Sequence, residues 1–363
     1  MYQCILGWDF TSRLPEMDGF FMSIIEVAQK AGVSPSTVSR VMNDHPRVAQ
    51  ETARAVRKVM AELGYVPSEN RPGPKPLNRI ATAKPTVAFI VFGSTHHGNT
   101  PGFEQLVRGV SEAVNKSSMG LAIFHHQDPT RPPDRLLDSS VHGLLLHGEI
   151  PSPEVQTKLG KIPAVWLMGN HQRPTWGDQV MPNHYEVGSL AAEHLHALGH
   201  QHLVFMNMDS QHWPFRLYYQ AFAAAAEQRG VSVTRVDDVI KPGTDYWFKY
   251  DQSTIEGIVD RYLALSPRPT GIMIADDMQA AMIQPVLQRK GVKVGPGEVE
   301  IVSVNNEQPY LIGLNPRPTV VDIRASAIGQ RGVAQIRWRI KHPEVTDRIM
   351  MLVQPELVAP AAR

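Results

Sequence analysis

Ser34, Pro35, Ser36, Thr37, Ser39 and Arg40 lie within seven consecutive positions. Four hydroxyls and one guanidinium on one short helix form a hydrogen-bonding surface suited to base edges and phosphates. Ser34 is a natural N-cap, and Pro35 fits the first helical position, where a missing N–H costs nothing. Val38 and Val41 are expected to point inward, leaving Ser36, Thr37, Ser39 and Arg40 to face outward. Short side chains there let the helix backbone approach base edges, and Arg40 can reach a guanine or a phosphate. The bland alternative is a helix in an ordinary bundle whose exposed hydroxyls do nothing.

Positioning such a helix takes partners. Ile24, Ile25, Val27, Ala28 and Ala31 mark an apolar stripe along a preceding helix. Gly32 can take the left-handed conformation that ends it, with Val33 tucked beneath the turn. A third helix is expected over 50–63, burying Val56, Val59, Met60 and Leu63 and stopping at Gly64. Residues 23–84 hold ten Lys/Arg against five Asp/Glu, a local +5 within a chain whose formal charge is +1. The remainder therefore carries −4, so positive charge is concentrated around the helix pair, as phosphate contacts require.

At 363 residues the chain should divide into two or three compact units. The one cysteine, Cys4, excludes an internal disulfide framework or a thiolate zinc cluster. No apolar run is long enough to cross a bilayer. Residues 1–22 make a poor signal peptide and read as a floppy extension or a mis-assigned start, with Met22 opening the real product. A cytoplasmic location is expected.

The stretch Val27-Ala28-Gln29-Lys30-Ala31-Gly32-Val33-Ser34, then Thr37-Val38-Ser39-Arg40-Val41 and Asn43, closely resembles the DNA-binding head of LacI/GalR-family bacterial regulators. Val48, Thr52, Val56, Leu63, Gly64, Tyr65 and Pro67 extend the likeness. The resemblance implies that Pro35 and Ser36 choose between operators. It gives Thr37, Ser39, Arg40 and Asn43 more general groove and backbone contacts. Ala53 departs from it, where many members carry an arginine; Arg54 is the available substitute.

The connector, 68–85, departs most. Relatives usually place here a short helix that wedges a leucine into the minor groove. Residues 71–77 read Arg-Pro-Gly-Pro-Lys-Pro-Leu, whose alternate prolines oppose a helix. An extended arm carrying Arg71 and Lys75 into the minor groove is one reading, and a stiff solvated spacer is the other. Leu77 is the one candidate wedge.

Beyond it, apolar strands are expected at 86–92, 121–124, 143–146, 163–167, 202–206, 271–275, 300–304 and 319–323. They alternate with helices that include 186–198, 214–229, 253–264, 277–290 and 326–340. Such alternation implies parallel sheets covered on both faces, here long enough for two units with a ligand cleft between them. No phosphate loop or esterase serine motif is present. The histidines, His96-His97, His125-His126 and His194/His196/His200/His202, lack metal-ligand spacing. No catalytic residue, metal or cofactor is therefore expected, and the chain does not read as an enzyme.

This region resembles the effector domain of the same regulators, itself akin to sugar-binding proteins. Gly188, Ala191, Ala192, His194, Leu195, Leu198, Gly199 and His200 carry the likeness. Arg216 matches an arginine that hydrogen-bonds sugar hydroxyls, with Tyr219 in place of the usual nearby glycine. Ile274-Ala275-Asp276-Asp277 matches a strand end whose final aspartate contacts ligand, Asp276 standing for the usual asparagine. Asn305 and Asn306 replace paired aspartates, and Asn183 another aspartate. By resemblance, Arg216 and Asp277 grip vicinal hydroxyls, Asn305 tunes which hydroxyls are preferred, and Trp213, Phe215 or Trp247 covers an apolar ring face. Core packing is the bland reading for each aromatic, and capping of the following helix for Asp277.

The expected architecture is an all-α helix-turn-helix head at 23–67 joined through the connector to a two-lobed α/β body of the periplasmic-binding-protein type at 86–358. The expected function is a homodimeric, sequence-specific regulator, a repressor of an operator in double-stranded DNA. Its affinity would respond to a small carbohydrate-like effector. The alternative is a ligand-independent repressor with a degenerate cleft.

Overall fold

The computed structural model describes residues 24–42, 45, 48–65, 85–93, 100–131, 141–169, 176–238 and 251–360. Asn43, Arg71, Lys75, Leu77 and Trp247 lie outside the described residues. The chain separates into two compact units, Met1–Ala81 and Thr82–Arg363.

The first unit contains α1 (Ile24–Lys30), α2 (Pro35–Met42) and α3 (Gln50–Glu62). Its core is Val27, Ala28, Val38, Val41, Val56 and Tyr65, packed from all three helices. Gly32 has φ +65°, which lets the Gly32 N–H reach Gln29 O at 3.3 Å and the Val33 N–H reach Ala28 O at 3.0 Å. Those two bonds satisfy carbonyls left open at the helix end and fix the turn into α2. A similar pair, Tyr65 N to Met60 O at 2.9 Å and Gly64 N to Ala61 O at 3.2 Å, closes α3. One expectation fails: Ile25 is 55% exposed and does not join the buried stripe, which runs instead through Ile24, Val27, Ala28 and Ala31. Positions 24, 27, 28 and 31 follow the 3.6-residue period, and 25 falls on the neighbouring face.

The second unit contains two six-stranded sheets. In the first the order is β11 (Met350–Val353), β5 (Asp178–Pro182), β4 (Ala164–Leu167), β3 (Val141–Gly148), β1 (Thr86–Phe92), β2 (Gly120–His126), all neighbours parallel. In the second it is β12 (Glu356–Val358), β10 (Thr319–Asp322), β9 (Glu300–Val304), β8 (Gly271–Ile274), β6 (His202–Asn207), β7 (Ser232–Asp237), with β12 alone antiparallel to its neighbour. Apolar strands such as β1, buried at six of seven positions, are what a parallel sheet covered on both faces needs.

The chain passes between the lobes three times. It leaves β5 for α6 (His184–Ala197), whose Val187, Ala191, Ala192 and Leu195 enter the second lobe's core. It leaves β10 for α11 (Ala325–Lys341), whose Ile328, Val333 and Ile336 pack beneath the first sheet with α4 (Pro101–Lys116). It returns between β11 and β12. The first lobe also carries α5 (Pro153–Leu159). The second carries α7 (Trp213–Glu227), α8 (Gln252–Leu263), α9 (Asp277–Arg289) and the short α10 (Gln308–Leu311).

Candidate functional site

On the head, Ser34 caps α2. Its Oγ accepts the Thr37 N–H at 3.2 Å and lies 2.7 Å from Ser36 Oγ and 2.9 Å from Thr37 Oγ1. Ser34, Pro35, Ser36 and Arg40 are exposed, while Thr37 and Ser39 are half-buried. The outward face is therefore narrower than the sequence pattern suggested. A helix whose capped, exposed first turn also carries an arginine one turn further on can present donors and acceptors to base edges.

In the body, parallel strands of both lobes end toward the cleft. At the end of β8, Asp276 caps α9: its Oδ1 accepts the Gln279 N–H at 2.7 Å. Gln279 Oε1 in turn accepts the Met208 N–H at 2.7 Å, tying β6 to the same corner. Asp277 is wholly buried, with both oxygens occupied: Oδ1 accepts the Ser303 hydroxyl, and Oδ2 accepts the Glu307 N–H at 2.6 Å. Burial pushes its carboxyl well above the usual carboxylate range, against the pull of those two bonds. The resemblance implied a ligand contact for Asp277, and its bland reading was a helix cap. The structure corrects the cap reading, because Asp276 makes the cap, and it shows Asp277 anchoring the loop that follows β9.

That loop, 305–307, has two consecutive non-glycine residues at positive φ, Asn305 at 105° and Asn306 at 63°. Asn tolerates the left-handed region better than most residues, yet such geometry persists only where surrounding bonds over-determine it. Here the Asn305 N–H bonds Val321 O at 3.0 Å, and Asn306 Nδ2 donates to Asp322 at 3.0 Å. Gln308 Nε2 donates to Asn306 Oδ1 at 2.7 Å. The loop delivers Glu307, a residue the sequence reading missed, into a buried position. Burial first, then the charge of Asp276, pushes its carboxyl up to about 7, while bonds from Gly102 and Asn305 act in the opposite direction. Asparagine at 305 thus supplies a neutral donor where aspartate would add a charge against Glu307.

Arg216, on the first turns of α7, is exposed and shares a cavity of about 510 Å³ with Ser210, Gln211, Arg235 and Asp237. Tyr219, in place of a glycine, offers its ring to Arg235, whose guanidinium sits 4.5 Å from the centroid. Among the described residues no hydrogen bond or ion pair joins Arg216 to Asp277. Phe215 is 8% exposed and packs edge-on against His212 at 4.4 Å, within the second lobe's core. It therefore takes the core role. Trp213 opens α7 half-buried. Asn183 caps α6 and donates through Nδ2 to Gln354 at 3.2 Å, joining two of the interlobe crossings. Beside it, His184 is buried, which lowers its pKa to about 4 with help from His212. Among the described residues no group of three or more His, Cys, Asp and Glu is placed to hold a metal ion. No described helix is long and apolar enough to cross a membrane.

A three-helix unit with an exposed, capped second helix and a body of two parallel-stranded lobes joined by three crossings together define a DNA-binding regulator with an effector-binding domain. The sequence pattern of "Bacterial regulatory proteins, lacI family" matches residues 23–68, and that of the "Periplasmic binding protein-like domain" matches 192–359. The HTH-type transcriptional repressor PurR of Mannheimia succiniciproducens is 25% identical, over 93% of this chain and 97% of its own. The ribose operon repressor of Escherichia coli is 24% identical, over 90% and 96%. Among solved structures, a complex of the transcriptional regulator CelR with cellobiose aligns over 93% of this chain and 98% of its own, with TM-score 0.60 and 19% identity. The chain belongs to the LacI/GalR family of DNA-binding transcriptional regulators, which is not a family of enzymes.

Proposed function

We propose that the protein is a cytoplasmic, homodimeric repressor that reads a pseudopalindromic operator with α2 and alters its affinity when a small carbohydrate-like effector enters the interlobe cleft. The observation that carries the reading is α2 itself, with its Ser34 cap and exposed Ser36 and Arg40. Two copies of the head would supply the twofold symmetry of such an operator. In this reading Ser34, Pro35, Ser36, Thr37, Ser39, Arg40 and Asn43 contact DNA, and Arg71 and Lys75 reach the minor groove from the connector at 68–85. The head spans 23–67 and the body 86–358. Relatives named as repressors, one of a ribose operon, and a structural neighbour bound to cellobiose support repression and a sugar-like effector.

Arg216, exposed beside a cavity with its guanidinium bonded to no described residue, is the effector contact the geometry favours, with Trp213 beside it and Asn305 acting through its neighbours. A second reading, a ligand-independent repressor, draws on the closure of Asp277 by Ser303 and Glu307. Calorimetry of the full chain against a sugar panel separates the two. Heat from one sugar that vanishes in Arg216→Ala, with operator binding kept, supports effector control; flat traces throughout support the second.

A further inference from the structure

The first helix of the first lobe is completed by the second lobe. In α4, the free donors of the first turn are the N–H groups of 102 and 103, because Pro101 has none and Glu104 opens the helical ladder. Phe103 donates to Thr100 Oγ1 at 3.2 Å and Glu104 to Thr100 O at 3.1 Å. Gly102 donates at 2.7 Å to Glu307 Oε1, which reaches it from across the cleft. One turn along, Gln105 Nε2 donates to Asn306 O at 3.2 Å. The helix dipole and the Gly102 hydrogen bond offset part of the cost of burying the carboxyl beside Asp276, without outweighing it. Glycine at 102 is what admits it, since a Cβ there would stand 2.7 Å from Glu307 Oε1.

On the second lobe, everything around Glu307 serves to hold it out. Asp277 receives its N–H, Ser303 fixes Asp277, and the two asparagines with positive φ set the direction of the turn. A buried carboxylate, a strained turn and a wholly buried aspartate are explained together if this loop is a fastening.

We propose that Glu307 is a clasp between the lobes: it closes the cleft by capping α4 in place of any ligand group, and the cleft opens when that cap is withdrawn. The clasp stands whatever the chemistry of the effector. It also makes closure sensitive to protons. Asp276 and Asp277 from α9, Tyr218 from α7 and Tyr310 from α10 share its surroundings electrostatically, Asn305 donates to it, and α4 adds the exposed Glu104. None of these is a cation. With the carboxyl raised from about 4.5 to about 7 on burial, the clasped form holds its proton more tightly than an open, hydrated one. Clasping is therefore favoured at low pH and weakened as pH rises through 7.

Hydrogen exchange of the full-length protein, read as protection factors at 102–105 and 305–307 between pH 5 and pH 8, tests this. Wild-type protection should fall at least about tenfold over that range. Glu307→Gln keeps a neutral acceptor for Gly102 and should stay protected with a flat profile. Glu307→Ala should lose roughly ten- to hundredfold of the protection at 102–105 while the strands of both sheets keep theirs. Gly102→Ala, made in the opposite lobe, should expose 305–307 in the same way. Equal protection in wild type and Glu307→Ala, or parallel pH profiles for wild type and Glu307→Gln, would overturn the clasp. If Glu307→Ala does not fold, the comparison with Glu307→Gln decides alone.

Discussion

The head and the cleft make their sites in opposite ways. On α2, the cap, the buried face and the outward face are set by residues at most eight positions apart, so the helical period alone nearly assigns them. In the cleft, Gly102 meets Glu307 over 205 positions and Asp277 meets the same residue over 30. A local site can be read from spacing. A site built from the ends of strands depends on which loops fold back, and the same residue types then serve as anchors instead of contacts.

Substitutions can sharpen that contrast, beginning with the largest expected effect. Asp178 in β5 is buried and accepts hydrogen bonds from Gln335, from Ile349 N and from Arg339, which lies on α11. Asp178→Ala removes the carboxylate of a largely desolvated pair, leaving Gln335 and Ile349 N without their acceptor and the half-buried Arg339 with only Val345 O and Asp347 O. It should destabilise the body by about 2–4 kcal/mol. Denaturant unfolding followed by probes in each unit should show the head's transition unmoved.

Arg40→Ala should weaken binding to the preferred operator by about 1–3 kcal/mol with the body's melting unchanged. A titration by mobility shift that finds wild-type affinity removes Arg40 from the reading surface. Glu307→Gln is expected to change the pH dependence of the body's stability. The folded carboxyl is raised, so its contribution is full below about 4.5 and lost as pH rises through about 7. Wild type should lose stability relative to the variant across that window, and parallel curves would contradict the assignment. Ser34→Ala removes a cap and should cost the head about 1 kcal/mol, measured by its thermal midpoint.

Much of the architecture was legible because it depends on apolar runs. The strands at 86–92, 202–207, 271–274 and 300–304 are nearly all buried, and their hydrophobic residues announce them. The strands that escaped notice lie at or near edges. β7 reads Ser-Val-Thr-Arg-Val-Asp, with one fully buried position, and β11 and β12 have none. β5 begins at Asp178, whose burial makes sense only once Arg339 arrives from 161 positions away. The same limit applied in the cleft. Asp277 could be aligned with a ligand contact, but its enclosure depends on Ser303 and on the turn at 305–307. The double asparagine before Glu307 was the available signal, since a positive-φ turn followed by an acid directs that acid away from its own strand.

Whether α2 reads a particular duplex is decided by selecting sequences from a random duplex pool with the full-length protein at moderate salt. Affinity for the winner is then compared with that for a scrambled duplex. Selection should enrich a twofold-related pair of half-sites, bound about a thousandfold or more tighter than the scrambled control. A pool that stays random after selection, with equal affinity for both duplexes in the presence and absence of sugars, would contradict sequence reading by α2.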